Sequence, residues 1–331
     1  MGAETGIEWT DATWNPIGGC SIKSPGCANC YAMKIAGSGR LREHPLYNGV
    51  TSPSKAGPVF NGTLTALPDD HPTWTWPLRW RGSKTPKLGP GKPSMIFVGD
   101  MSDLFHEDRP DAVIDRVFAV MALAPQHIFQ VLTKRADRMN DYLSVRDTLL
   151  RIDDIVARMR RGIAPDPKPT WPLLNVWLGV TAEDQERADE RIPDLLATPA
   201  AKRFISYEPA LGPVSVWHPA IARKAGAAAD AAGIDWIIAG GESGKDARPA
   251  HPDWFRTARD QCAAAGVPFF FKQWGEFSPQ PCGPCSCIVG EHCLTAPGTV
   301  CADEPKAVMR RVGKRRAGAM LDGRLHREFP A

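Results

Sequence analysis

The sequence predicts an α/β protein built as a full or partial (β/α) barrel of the TIM type. The chain has 331 residues, 43% of them hydrophobic and 23% charged, which suits one large barrel or two modest domains. From about residue 94 onward, a short apolar run, a polar tip and a helical pattern recur. Polar side chains follow the apolar runs, and this end of the strands carries the active site in (β/α) barrels.

Short, nearly continuous apolar runs are expected of parallel strands that are buried on both faces. Such runs predict seven strands, at residues 7–10, 94–98, 127–132, 175–180, 203–206, 235–239 and 267–271. Helical patterns between them cover residues 111–123, 188–196 and 253–265, and Gly266 ends the third helix. Because strands and helices alternate, we expect right-handed crossovers and a parallel sheet.

Two regions interrupt the barrel, which we place at residues 1–277. Residues 38–93 form a predicted insertion rich in Trp, Pro and Gly, whose tryptophans either pack as a surface flap or stack on bases. Residues 278–331 comprise a Cys-rich insertion and a basic tail. The tail either contacts phosphate or is a solvated face.

Charge and hydropathy limit the classes of protein to which the chain can belong. The formal net charge of +3 argues neither for nor against nucleic acid as a partner. No run approaches the roughly 18 apolar residues that cross a bilayer, so we expect no membrane partner. The N-terminus has no basic region followed by an apolar one, and we therefore expect a cytoplasmic protein. In a reducing compartment, clustered thiols more often bind metal than form disulfides.

Three cysteines lie close together near the start of the chain. Cys20, Cys27 and Cys30 have the spacing C-x6-C-x2-C in a loop rich in Gly, Ser and Pro. Three thiolates can bind three irons of a 4Fe–4S cluster, which leaves the fourth iron open to a small molecule. They can also bind zinc together with a fourth ligand such as His44 or a downstream cysteine. The loop resembles that of radical S-adenosylmethionine enzymes, which implies a 4Fe–4S cluster and S-adenosylmethionine as cofactors.

Further cysteines occur in the C-terminal insertion. A second metal site, holding zinc or an iron–sulfur cluster, is predicted at Cys282, Cys285, Cys293 and Cys301. Their spacing matches no common zinc pattern. Because the surrounding Pro/Gly-rich segment has little apolar content, a metal would supply the stability that a core cannot.

The polar residues at the predicted strand ends supply the other candidate site residues. Resemblance to the Gly-Gly-Glu motif of radical enzymes, which contacts the amine of S-adenosylmethionine, implies cofactor binding by Gly240, Gly241, Glu242 and Ser243. Asp100 and Ser102 end the predicted second strand, where that motif usually lies, and are also predicted to bind the cofactor. A tight turn without a ligand is the alternative for both segments. Glu208, Lys272 and Gln273 are predicted to orient the substrate as catalytic residues.

Longer motifs resemble a phage and prophage family with a three-Cys motif and no established function. The resemblance rests on residues 7–16, 102–106, 130–135, 177–180, 208–213, 240–244, 270–275, 313–318 and 321–324. It extends from about residue 7 to residue 330 and implies a radical S-adenosylmethionine type of barrel. For a phage-encoded protein, the location would be the host cytoplasm.

These observations support a radical S-adenosylmethionine enzyme that modifies a nucleotide or a nucleic-acid base and takes electrons from a reducing donor. The alternative is a zinc-stabilised protein that binds nucleic acid or another partner without catalysis. A metal-dependent hydrolase that uses the polar strand ends is a third hypothesis, which the lack of a His-rich ligand set disfavours.

Overall fold

The computed structural model describes residues 5–160, 169–215, 233–280, 292–294 and 307–331. The strands are β1 (Ala12–Trp14), β2 (Ile17–Gly18), β3 (Thr51–Ser52), β4 (Val59–Phe60), β5 (Thr65–Ala66), β6 (Ser94–Val98), β7 (His127–Thr133), β8 (Val176–Thr181), β9 (Lys202–Tyr207), β10 (Trp236–Gly240), β11 (Phe269–Gln273), β12 (Phe277–Gln280), β13 (His292–Leu294), β14 (Ala307–Arg311), β15 (Met320–Leu321) and β16 (Arg324–Leu325). The helices are α1 (Tyr31–Ala36), α2 (Trp76–Arg79), α3 (Asp111–Ala122), α4 (Ala136–Ser144), α5 (Arg146–Met159), α6 (Gln185–Ala197), α7 (Pro252–Ala265) and α8 (Lys314–Ala317).

A seven-stranded sheet has the order β1-β6-β7-β8-β9-β10-β11. Its strands follow one another in chain order, and β1–β6, β6–β7, β7–β8 and β10–β11 are parallel pairs. This order arises because each strand returns beside its predecessor through a crossover. The predicted α/β class is therefore confirmed, and the sheet is consistent with a partial (β/α) barrel.

The first strand differs from the prediction. It lies at Ala12–Trp14, whereas residues 7–10 form a turn in which Thr10 N donates to Ile7 O. The Thr10 hydroxyl donates to the carbonyl oxygen of Met95, at 3.1 Å. These residues therefore support the start of β6 from the side instead of extending β1.

The chain divides into two compact units. Unit 1 comprises Met1–Val180 and Arg191–Phe204, and unit 2 comprises Thr181–Glu190 and Ile205–Ala331. In unit 1, α3 buries Ile114, Val117, Phe118 and Met121, the one-face spacing of an amphipathic helix. In unit 2, Phe255 of α7 packs on Phe271 of β11 with 5.0 Å between ring centroids. Each unit thus has an apolar core of its own.

The predicted insertion at residues 38–93 forms part of unit 1 and includes β3, β4, β5 and α2. Trp74 is 2% exposed and donates its indole N–H to Leu67 O. Trp76 stacks on Trp80 with 5.0 Å between ring centroids. Trp74 is therefore a packing residue of this insertion. Within the described residues, no helix is long and apolar enough to span a membrane.

Candidate functional site

The cysteine loop follows β2 in unit 1, and close backbone packing fixes its start. Gly19 forms a parallel bridge with Ser102, and its φ of 82° lies in the left-handed region. A Cβ at Gly19 would lie 2.0 Å from the carbonyl oxygen of Thr63, so only glycine fits there. The first cysteine of the loop, Cys20, is thereby held next to the carboxyl end of β6.

The other two cysteines lie where short helical segments begin and end. Cys27 ends a 3-10 turn, Pro25–Cys27, and is buried. Cys30 precedes α1 directly, and its backbone N–H donates to Cys27 O at 3.1 Å. The turn and the helix therefore set the separation of these two thiols along the loop.

The three thiols influence one another electrostatically. Burial raises the pKa of Cys20 to about 12, and the nearby carboxylate of Asp103 raises it as well. The thiols of Cys27 and Cys30 add to the increase, while Arg135 opposes it. Burial also raises the pKa of Cys30. Without metal, Cys20 and Cys30 are therefore neutral thiols at pH 7, and binding a metal would release their protons.

The three cysteine side chains lie in one loop but do not converge on a single point. Within the described ranges, no group of three or more His, Cys, Asp or Glu side chains is arranged to hold a metal ion. A metal bound by this loop would therefore have to draw its sulfur atoms together.

Arg135, which follows β7, connects the cysteine loop to its surroundings. Its side chain is 1% exposed and donates to the Cys20 sulfur at 3.8 Å and to the Ser21 hydroxyl at 2.7 Å. It also pairs with Asp103 at 2.9 Å and with Glu107 at 2.6 Å. Arg135 belongs to the motif at residues 130–135, and its contact with Cys20 was not predicted from the sequence.

Ser21 and His106 form a hydrogen bond in this region, with 2.8 Å between Oγ and Nε2. Asp108 N donates to His106 Nδ1, so the proton of the neutral ring is on Nε2 and is donated to Ser21. Burial lowers the pKa of His106, which favours the neutral ring. The imidazole therefore supports the loop and does not activate Ser21 as a nucleophile.

Asp100 follows β6 and lies beside the cysteine loop. Asn15 Nδ2 donates to its carboxylate at 2.6 Å, and the Tyr31 hydroxyl donates to its backbone oxygen at 2.8 Å. Burial raises the pKa of Asp100. The other end of the Asn15 amide, Oδ1, is buried without a hydrogen-bond partner among the described residues. A carboxylate and an unsatisfied amide oxygen are suitable acceptors for an ammonium group.

Ser102, the second residue predicted on this segment, contributes to the loop itself. Its hydroxyl donates to Gly99 O at 3.4 Å, and its backbone forms the bridge to Gly19. Unit 1 thus contains the three loop cysteines, Asp100 and Ser102 in one region, and their roles as ligands stay predictions.

In unit 2, Glu208 and Lys272 form an ion pair of 2.8 Å, and their side chains are 17% and 16% exposed. Glu208 follows β9, and Lys272 lies near the end of β11. Gly240 of β10 lies beside the pair, because a Cβ there would be 3.2 Å from the Glu208 carboxylate. Two of the three predicted catalytic residues therefore meet in the structure.

The side chain of Gln273 is engaged in hydrogen bonds within the fold. It is 4% exposed, its Nε2 donates to Gly241 O at 2.9 Å, and its Oε1 accepts from Gly275 N. A Cβ at Gly241 would lie 2.0 Å from Trp274 O, so this glycine permits close backbone packing. Both ends of the Gln273 amide thus hold the loops after β10 and β11 together.

Glu242 is paired within its own loop. It is 6% exposed, and its carboxylate accepts three hydrogen bonds from Arg248. Two come from the guanidinium group, at 2.6 Å and at 2.9 Å from Nε, and one comes from the backbone N–H, at 2.8 Å. This bidentate pair occupies the carboxylate that the sequence assigned to the cofactor. The adjacent Ser243 is exposed.

The predicted second metal site lies outside the residues whose side chains the structure describes. Cys282, Cys285 and Cys301 lie outside the described residues, and Cys293 lies on β13, where only the backbone is described. The second site therefore stays a prediction.

Comparisons with known proteins give one match. Residues 4–330 match the family described as "Protein of unknown function (DUF5131)". Neither the curated proteins nor the solved structures include a match to the chain. The match covers nearly the whole chain, including every candidate site residue discussed above.

Proposed function

Because the chain belongs to the DUF5131 family, whose description states no function, we propose a function from the site: a radical S-adenosylmethionine enzyme. Cys20, Cys27 and Cys30 would hold a 4Fe–4S cluster. The donor set suits this cluster, because iron–sulfur clusters are held by cysteine thiolates and three of them leave one iron for the cofactor. Cys27 is buried and Cys20 and Cys30 are half-buried, so the loop would shield the cluster from water on one side.

The observation that carries the proposal is the pair of acceptors beside the cysteine loop. The buried carboxylate of Asp100 and the unsatisfied Asn15 Oδ1 would accept from the ammonium group of S-adenosylmethionine. Tyr31, the residue after Cys30, donates to Asp100 and so ties this acceptor to the loop. The three thiols would thus hold the cluster, and the two acceptors beside them would bind the ammonium group of the cofactor.

When bound together, the reduced cluster and S-adenosylmethionine would supply the radical chemistry that removes a hydrogen atom from a substrate. The chain's residues hold the cofactor and limit the access of water. In this proposal Asp100 stays ionised against the ammonium group, whose charge offsets the cost of burying the carboxylate. We assign substrate orientation to Glu208 and Lys272. The electron comes from an external reducing donor.

The substrate class proposed is a nucleotide or a nucleic-acid base. The resemblance to a phage family with a three-Cys motif supports it. Gln273 and Glu242 are left out of the substrate and cofactor assignments, because their polar atoms are engaged in the loops of unit 2.

Anaerobic reconstitution with iron and sulfide tests the proposal. We expect a brown protein with about four irons per chain, which cleaves S-adenosylmethionine when dithionite is added. Asp100→Asn should retain the iron and weaken cofactor binding roughly tenfold to a hundredfold, since a hydrogen bond to a charged group contributes about 1.5–3 kcal/mol. A colourless protein with stoichiometric zinc would instead support the zinc-stabilised binding protein and overturn the enzyme.

A further inference from the structure

A basic turn, which we define as residues 313–318, follows β14 in unit 2. It contains three consecutive exposed cations, Lys314, Arg315 and Arg316. Arg310 and Arg311 of β14 precede it, so that residues 307–318 carry five positive charges and no acidic residue. This short segment therefore carries more positive charge than the whole chain, whose net charge is +3.

Hydrogen bonds fix the basic turn at both ends. Gly313 N donates to Glu276 O at 3.0 Å, and Trp274 N donates to Gly318 O at 3.1 Å. Gly313 and Gly318 have φ values of 87° and 72°, which glycine adopts without strain. The three cations thus occupy a folded turn and not a free tail, which lowers the entropy lost when they bind a ligand.

Arg315 and Arg316 have no ion-pair partner in the described part of the chain. Other arginines of unit 2 are paired: Arg256 and Arg259 share Asp322, at 2.7 Å each. Adjacent like charges repel unless an anion neutralises them. Arg315 and Arg316 are therefore available to bind an anionic ligand.

The loop after β10 extends this surface. Arg311 donates to Gly244 O at 3.3 Å and to Ala247 O at 2.9 Å. Its guanidinium also lies over the ring of Phe277, 4.6 Å from the centroid, and pairs with the carboxylate of Glu276 at 3.9 Å. These contacts hold the loop that carries the exposed Lys245 against the end of β14. Two loops thus contribute cations to this surface, and in the second loop Lys245 is followed by the exposed Asp246.

We propose that the basic turn, with Lys245, binds the phosphate backbone of a single-stranded nucleic acid. Guanidinium groups match phosphate oxygens in geometry and charge. A free nucleotide presents its phosphates at one point, whereas a row of cations on two loops suits the successive phosphates of a strand. The choice of a single strand rests on the proposed function, because enzymes that modify a base need it outside a duplex. The binding of phosphate by the basic turn does not rest on the proposed function.

Fluorescence anisotropy with a labelled single strand of about 20 nucleotides tests the inference, since such surfaces cover roughly 4–16 nucleotides. Arg315→Ala/Arg316→Ala should weaken binding at least about tenfold and reduce the slope of log affinity against log salt by about 0.7 for each lost phosphate contact. The matched control, Arg40→Ala/Arg42→Ala, removes two exposed cations from unit 1 and should leave both quantities unchanged. Circular dichroism checks that both double variants are folded.

Equal weakening by the two double variants would mean that only net charge matters, and would overturn the inference. So would unchanged binding by Arg315→Ala/Arg316→Ala, or binding to vesicles of anionic lipid but not to the strand. The measurement needs no iron, so it can be repeated on protein that reconstitution has failed to load. Failure of the cluster and failure of the basic turn are thus separate results.

Discussion

Arg135 donates a hydrogen bond to Cys20, with 3.8 Å between its terminal guanidinium nitrogen and the sulfur atom. The same guanidinium pairs with Asp103, which is 5% exposed. One buried cation therefore joins the cysteine loop to the segments that follow β6 and β7. Because the hydrogen bond ends on a sulfur that we propose as a cluster ligand, Arg135 is a positioning residue for the site.

Arg135→Met should destabilise the protein by about 3 kcal/mol, since it leaves the buried carboxylate of Asp103 without its cation. Urea unfolding measures this loss. The control is Arg138→Met, which breaks the more exposed pair with Asp111 and should cost less than about 1 kcal/mol. Equal losses in the two variants would contradict the structural importance of Arg135.

Cys27→Ala should abolish iron binding after reconstitution, because a cluster left with two protein ligands is labile. The same result is expected for Cys20→Ala and Cys30→Ala. Cys262→Ala is the control, since Cys262 is a buried thiol on α7 of unit 2 and should leave the iron content unchanged. Iron and sulfide analysis with the visible spectrum measures the outcome. Full iron in Cys27→Ala would show that the ligand set is wrong.

The sequence predicted the sheet well because its signal is local. Buried parallel strands are continuous apolar runs, and six of the seven predicted strands overlap those observed. The helices α4 and α5 were not predicted, although Thr148, Ile152 and Val156 of α5 have the spacing of a buried helix face. The first strand was misplaced because Thr10 is used as a side support for β6.

The candidate site was only partly predictable, because its decisive contacts join distant segments. Arg135 and Cys20 are 115 positions apart, and Asn15 and Asp100 are 85 apart. Residue type alone identified Glu242 as a candidate, but its pairing with Arg248 depends on how the intervening loop folds back. The thiol spacing was visible in sequence, whereas the side chains that surround the thiols depend on tertiary structure.

Glu208→Gln and Lys272→Ala should each reduce turnover of the substrate while leaving the iron content unchanged. The ion pair is partly exposed, so its loss should lower the free energy of unfolding by only about 1 kcal/mol. Glu186→Gln, which alters an exposed pair with Arg187 in unit 2, is the control and should be neutral in both measurements. If either variant at the Glu208–Lys272 pair were insoluble, that residue would be structural and its catalytic assignment would fail.

Asp322 makes the stability of the protein depend on acid pH. Hydrogen bonds from Arg256 and then from Arg259 lower its pKa to about 2, against about 3.9 in an unfolded chain. The stabilisation is therefore complete above about pH 4 and is lost as the pH falls through 2. Asp322→Asn keeps a residue that tolerates the observed φ of 51° and removes the charge.

We expect Asp322→Asn to have a lower melting temperature than the wild type at pH 7, and the difference to disappear towards pH 2. Scanning calorimetry across this range measures it. Asp154→Asn, which alters the exposed pair with Arg158, serves as the control and should show little difference at any pH. A difference for Asp322→Asn that persisted unchanged at pH 2 would mean that the side chain acts through packing and not through charge.

Deleting residues 282–303 should leave the cysteine loop able to bind its cluster and the rest of the chain folded. The deletion removes β13, which lies at the edge of a small antiparallel sheet with the order β12-β14-β13. Since β12 pairs directly with β14 from Phe277↔Arg311 to Gln280↔Val308, that pair and the basic turn after it do not need β13.

The deletion also removes Cys282, Cys285, Cys293 and Cys301, so metal content should fall by one site if these residues bind metal as predicted. Metal analysis and thermal unfolding of the full-length and deleted chains measure both effects. Loss of iron from the N-terminal loop would mean that the two groups of cysteines form one site, and a four-ligand zinc site would then replace the open cluster as the favoured interpretation.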